Sequence, residues 1–110
     1  MKAVGFTEMK RGVMWKRVHP QKAENDEGAS LESAGRFSEI YSDGKREMSF
    51  AKEGGFDSDH KHVIHIRWAP PLQWDPPHEN EIITEEEAQK IRTNIAEALS
   101  FMGSRAIFSK

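Results

Sequence analysis

The chain has 110 residues, 36% of them apolar and 31% charged, with a formal net charge of −2 and no cysteine. That length suits one domain around one core, and the missing cysteines exclude a disulfide framework, a thiol nucleophile and thiolate metal ligands. Apolar runs are too short to span a bilayer, and "MKAVGFTEMKRGVMWKR" lacks the apolar centre of a secretory signal, so the expected location is the cytoplasm.

In chain order, the first expected element is a strand within residues 4–18, carried by Val13, Met14, Trp15 and Val18. His19-Pro20 stops it, because proline cannot donate to a ladder. Residues 19–35, mostly "QKAENDEGASLESAG", are polar and small and read as a loop.

A hairpin is expected over 36–51, where Asp43-Gly44 suits a two-residue type I′ turn. That turn sets Ser42 opposite Lys45, Tyr41 opposite Arg46, Glu39 opposite Met48 and Phe37 opposite Phe50. Phe37, Tyr41, Met48 and Phe50 then share the core face, and a one-residue slip would expose all four. Gly54-Gly55 ends the hairpin. A further strand covers 62–68, with Ile64, Ile66 and Trp68 on one face and Val63, His65 and Arg67 on the other.

Residues 69–83, "APPLQWDPPHENEII", form a proline-rich loop. A helix over 85–102 follows. Thr84 and Glu87 make a capping box, Glu85 to Glu87 suit the positive end of the helix dipole, and Gly103 stands as the residue just past the end. Ala88, Ile91, Ile95, Ala98, Leu99 and Met102 recur every three or four residues as one apolar stripe. The tail "SRAIFSK" reads as a short strand or a docked end. The expected fold is α+β: a small, mainly antiparallel sheet of three to five strands with one long C-terminal helix on one face.

Several residues carry chemistry. Asp57, Asp59, His60, His62 and His65 are of metal-ligating types, but a regular strand sends His65 away from His60 and His62, and no metal site is expected. His65, Arg67 and His78 are the groups that a small histidine-dependent hydrolase or RNase would need. Lys10, Arg11, Trp15, Lys16 and Arg17 combine cations with a stacking ring, as a nucleic-acid module would; the nearly neutral net charge opposes that reading. No phosphate-binding glycine loop, no G-x-S-x-G elbow and no cofactor motif occurs. Trp74, between two proline pairs, is expected either as a recognition residue on a preset loop or as a cap on the core.

The glycine-led hairpin "GRFSEIYSDGKREMSF", the strand "VIHIRW", the loop "W-D-P-P" and the helix "I-x-x-N-I-x-x-A-L-x-F" together resemble small immunity proteins of bacterial polymorphic-toxin and contact-dependent growth-inhibition systems, over roughly residues 35 to 103. The resemblance implies a role and no reaction: tight 1:1 binding of a cognate toxin domain in the producer's cytoplasm, with no catalytic residue and no cofactor. Many such toxins are nucleases with basic clefts, which an acidic face would complement. From the surface itself, Trp74, Asp75, His78, Glu79, Glu81, Glu85 and Glu86, with Glu87 beside them, are the expected contacts.

Overall fold

The computed structural model describes the backbone of Thr7 and Glu8 and the whole of residues 13–109. A two-residue strand β1 (Thr7–Glu8) and seven longer strands lie in chain order across one sheet: β2 (Met14–His19), β3 (Lys22–Asn25), β4 (Ser30–Ser33), β5 (Ser38–Ser42), β6 (Glu47–Phe56), β7 (His62–Arg67) and β8 (Arg105–Ser109). Neighbours are antiparallel through β7. The helix α1 (Glu85–Phe101) then carries the chain back over the sheet, so that β8 lies parallel to β7. Among the described residues no helix is long and apolar enough to cross a membrane.

The α+β class and the single packed helix agree with the expectation; the sheet is larger than three to five strands. The extra strands come from residues 19–35, read as a loop. Ala23 and Leu31 pair across β3 and β4 and are fully buried. The connecting turn is closed by Asn25, whose Oδ1 accepts from the backbone N–H of Glu27 at 3.0 Å and Ala29 at 2.9 Å, with Gly28 at φ 92°. Side-chain capping, not β-branched composition, makes this hairpin.

The second correction is the hairpin register. Ser42 faces Glu47, Tyr41 faces Met48 and Glu39 faces Phe50. The turn is therefore a four-residue loop over 43–46. Asp43 Oδ1 accepts from the N–H of Lys45 and of Arg46 at 2.9 and 2.8 Å, and Gly44 takes φ 99°. A shift of two residues preserves the parity of every side chain, so Tyr41, Met48 and Phe50 still point into the core. Phe37 falls outside the ladder and is 65% exposed, and Glu39 takes the buried position beside Tyr41.

The strand β6 serves two neighbours: its first half pairs with β5 and its second half, from Lys52 to Phe56, with β7. Ile91, Ile95, Ala98 and Leu99 bury the stripe of α1 against the inner face. Thr84 Oγ1 accepts from Glu87 N–H at 3.1 Å as the N-cap, and Gly103, at φ 92°, reverses the chain into β8. Two polar bonds position the helix: Asn94 Nδ2 donates to Tyr41 Oη at 3.0 Å, and Trp15 Nε1 to Glu97 Oε1 at 3.2 Å. Trp68 is in the core, stacked on Phe50 with ring centroids 5.6 Å apart.

Candidate functional site: an acidic end built around Arg46

Three chain segments meet at one end of the sheet: the β5–β6 loop, the proline loop 69–83 and the first turn of α1. Arg46 joins them. Its guanidinium donates to Asp43 Oδ2 at 2.7 Å, to Glu81 Oε1 at 2.8 Å and to Glu87 Oε2 at 2.9 Å. One carboxylate comes from each segment. The cation lies over the Trp74 ring, its Cζ 4.2 Å from the centroid, where the ring quadrupole attracts it.

Trp74 is 1% exposed and stacks against Tyr41 at 6.4 Å. It caps the core and gives the guanidinium its platform. Of the two expected placements, the structure has the cap on the core, with the ring beneath Arg46. The loop is pinned further by Asp75, whose N–H donates to Glu47 O at 2.7 Å and whose Oδ2 accepts from Ser49 Oγ at 2.8 Å. His78 Nδ1 lies 2.5 Å from Glu81 Oε2. Of the expected contacts, Asp75, His78, Glu79, Glu81, Glu85 and Glu86 therefore do gather at one end. Glu81, Glu85 and Glu86 are exposed, and Asp75, His78 and Glu79 are half-buried.

The electrostatics follow from this packing. Burial opposes ionisation of Asp43, but the N–H groups of Lys45 and Arg46 and the guanidinium outweigh it and hold the carboxyl below its ordinary value of 3.8. The hydrogen bond from His78, then that from Arg46, holds Glu81 below its ordinary 4.5. Arg46 is raised above the usual guanidinium range, chiefly by its bond to Asp43. A carboxyl whose folded value is depressed stabilises the fold above its unfolded value and loses that contribution as pH falls through the folded one. The stability difference between the wild type and Arg46→Met is accordingly expected to be constant from about pH 5 to 8 and to shrink below about pH 4, as urea titrations at each pH would measure.

Beside the glutamates lies a groove of about 410 Å³ between the proline loop and the helix start, lined by Trp68, Pro70, Pro71, Leu72, Ile83 and Ala88 with Thr84, Glu85 and Gln89. A larger concavity of about 680 Å³ opens at the other end of the inner sheet face, where Ser33, Phe37, Lys52, Gly54, His62 and Ile64 line it. Near its wall Lys52 Nζ donates to a carboxylate oxygen of Glu39 and, at 2.6 Å, to Ser33 Oγ. Sequence reading passed over this pair. The signal was present: both residues occupy inward positions, next in parity to Tyr41 and Phe50.

The other candidates are not assembled. His65 and Arg67 line a shallow depression on the outer face of the sheet, with Glu53 and Ser109, and His78 is engaged by Glu81 in the proline loop. His62 Nδ1 lies 2.6 Å from Ser104 Oγ, and Asp57 closes its own turn by accepting from the N–H of Asp59 and Lys61. Among the described residues no three histidine or carboxylate side chains converge as metal ligands would. Lys10 and Arg11 lie outside the described residues, and Trp15 is fully buried, which removes it as a base-stacking platform. Lys16 pairs with Glu24 at 3.7 Å. No protein-family model matches the chain, and neither a curated protein nor a solved structure matches it.

Proposed function

We propose that this chain is a non-enzymatic inhibitor, of the immunity-protein kind, that neutralises a cognate toxin domain in the cytoplasm of the producing cell by covering a basic surface, such as a nuclease cleft. The observation that supports this reading is the Arg46 fan. One guanidinium holds Asp43, Glu81 and Glu87 in a fixed array, and Glu79, Glu85 and Glu86 stand beside it. A surface fixed before contact loses little conformational freedom on binding, and a field of one sign steers a partner of the other. The histidine-dependent hydrolase and the nucleic-acid module have no comparable support: His65 and Arg67 lie on the outer face of the sheet, apart from His78 in the proline loop, and Trp15 is in the core.

The test is co-expression with the toxin domain encoded in the adjacent upstream reading frame. A 1:1 complex and protection from killing are expected. Glu85→Lys/Glu86→Lys, both positions exposed, is expected to slow association by on the order of tenfold at low salt, and less as salt rises. Unchanged association would remove the acidic end as the docking surface; turnover of RNA by the purified wild type would remove the inhibitor reading.

A further inference from the structure

We infer that the groove between the proline loop and the first turn of α1 is the anchor pocket of this docking surface: it receives one apolar side chain, of leucine or methionine size, carried on a lysine- or arginine-rich stretch of the partner protein. This rests on the inhibitor reading and adds to it the place and chemistry of the contact.

Two observations carry it. The first is shape and polarity: about 410 Å³ of open space is walled mainly by Trp68, Pro71, Leu72, Ile83 and Ala88. Ile82, next along the chain, is 88% exposed. Contiguous apolar surface rimmed by polar residues, as in the groove, marks interaction sites. The second is the rim. Glu85 lines the groove itself, and Glu81 and Glu86 are exposed nearby along the same turn and loop. A buried apolar anchor ringed by charge is the arrangement in which interface energy concentrates.

The same rim selects the occupant. A second copy would bring its own glutamates against these, and like charges repel. An anionic membrane surface meets the same penalty. A basic protein segment gains from both parts of the site at once.

The test uses ¹⁵N-labelled full chain and three blocked ten-residue peptides: alternating lysine and leucine, lysine and serine, and glutamate and leucine. The lysine–leucine peptide is expected to shift the amides of Leu72, Ile83, Glu85 and Ala88 saturably. The lysine–serine peptide should bind at least tenfold more weakly, and the glutamate–leucine peptide not at all. Ala88→Arg, which fills the groove and places a cation beside its glutamates, should weaken the first peptide at least tenfold; if that variant does not fold, Ile83→Ser carries the same expectation. Equal binding of the lysine–serine peptide, shifts centred elsewhere, or no effect of either variant overturns the inference. A toxin complex that survives Ala88→Arg overturns the groove and leaves the inhibitor reading standing. Saturable groove binding with no toxin complex does the reverse.

Discussion

Trp74→Ala is expected to lower the unfolding free energy by about 3–5 kcal/mol, and the melting temperature by on the order of 10–20 °C for a domain of this size. The side chain is 1% exposed, so the substitution deletes a whole indole from a packed site and leaves a cavity. It removes the stacking surface of Tyr41 and the platform under Arg46 as well, contacts worth about 0.5–1.5 kcal/mol each beyond burial. Small domains are stable by only about 5–15 kcal/mol in total, so this one residue carries a large share. Trp74→Phe, which keeps a ring under the guanidinium, should recover more than half of the loss. Urea unfolding followed by circular dichroism measures both. A loss under about 1 kcal/mol would mean that Trp74 is not the keystone of this end.

On the proposed inhibitor reading, the effect extends to toxin binding. With Trp74 gone, Arg46 has no base, and the loop that presents Glu79 and Glu81 is left to Asp75, the ion pairs and the packing of Leu72 and Ile83. Trp74→Ala is therefore expected to reduce toxin binding without any contact between Trp74 and the toxin. Arg46→Met separates the two roles, since it keeps an apolar group on the ring while releasing three carboxylates. It should cost less stability than Trp74→Ala, because ion pairs this close to solvent contribute little each, and yet weaken binding by a similar factor.

Much of this architecture was legible in the residues. Thr84, Glu87 and the stripe from Ile91 to Leu99 specify α1 through capping and period, both local signals. The inward set of Tyr41, Met48 and Phe50 was also readable, since alternation survives a two-residue change of register. The loop length was not, because Asp-Gly suits several turns. Here Asp43 closes the four-residue form by accepting from the N–H of Lys45 and Arg46, and the Arg46 side chain is engaged by Glu81 and Glu87, thirty-five and forty-one residues away. The hairpin of β3 and β4 was hidden for a different reason: in "KAEN" and "SLES" only Ala23 and Leu31 are apolar, and they join a core supplied by distant residues of α1 and by Trp15. Trp74 shows the limit most clearly. Its flanking prolines mark a stiff loop in any reading, but whether the ring faces water or core depends on Tyr41 and Arg46, which no local pattern brings to it.

The buried pair of Glu39 and Lys52 poses the complementary case, in which sequence would suggest a weakness and packing decides its sign. Their side chains are only 3% and 8% exposed, and among the described residues Glu39 Oε1 has no hydrogen-bond partner. Desolvating two charges costs several kcal/mol each, and their attraction with the added bond to Ser33 offsets this only in part. Removing one partner should therefore be far worse than removing both. Lys52→Met is expected to cost about 3–5 kcal/mol, because it strands the buried Glu39 carboxylate, opposite Phe50, without its cation. Glu39→Leu/Lys52→Met should fall within about 1 kcal/mol of the wild type, or above it, because no charge then remains to be desolvated at this pair of positions. Urea unfolding of the wild type, both single variants and the double variant gives the coupling directly. A double variant as unstable as the Lys52→Met single would mean that the ion pair is a net source of stability. On the inhibitor reading, a double variant that is stable and still protects against the toxin would separate this end of the sheet from the proposed docking surface at the other.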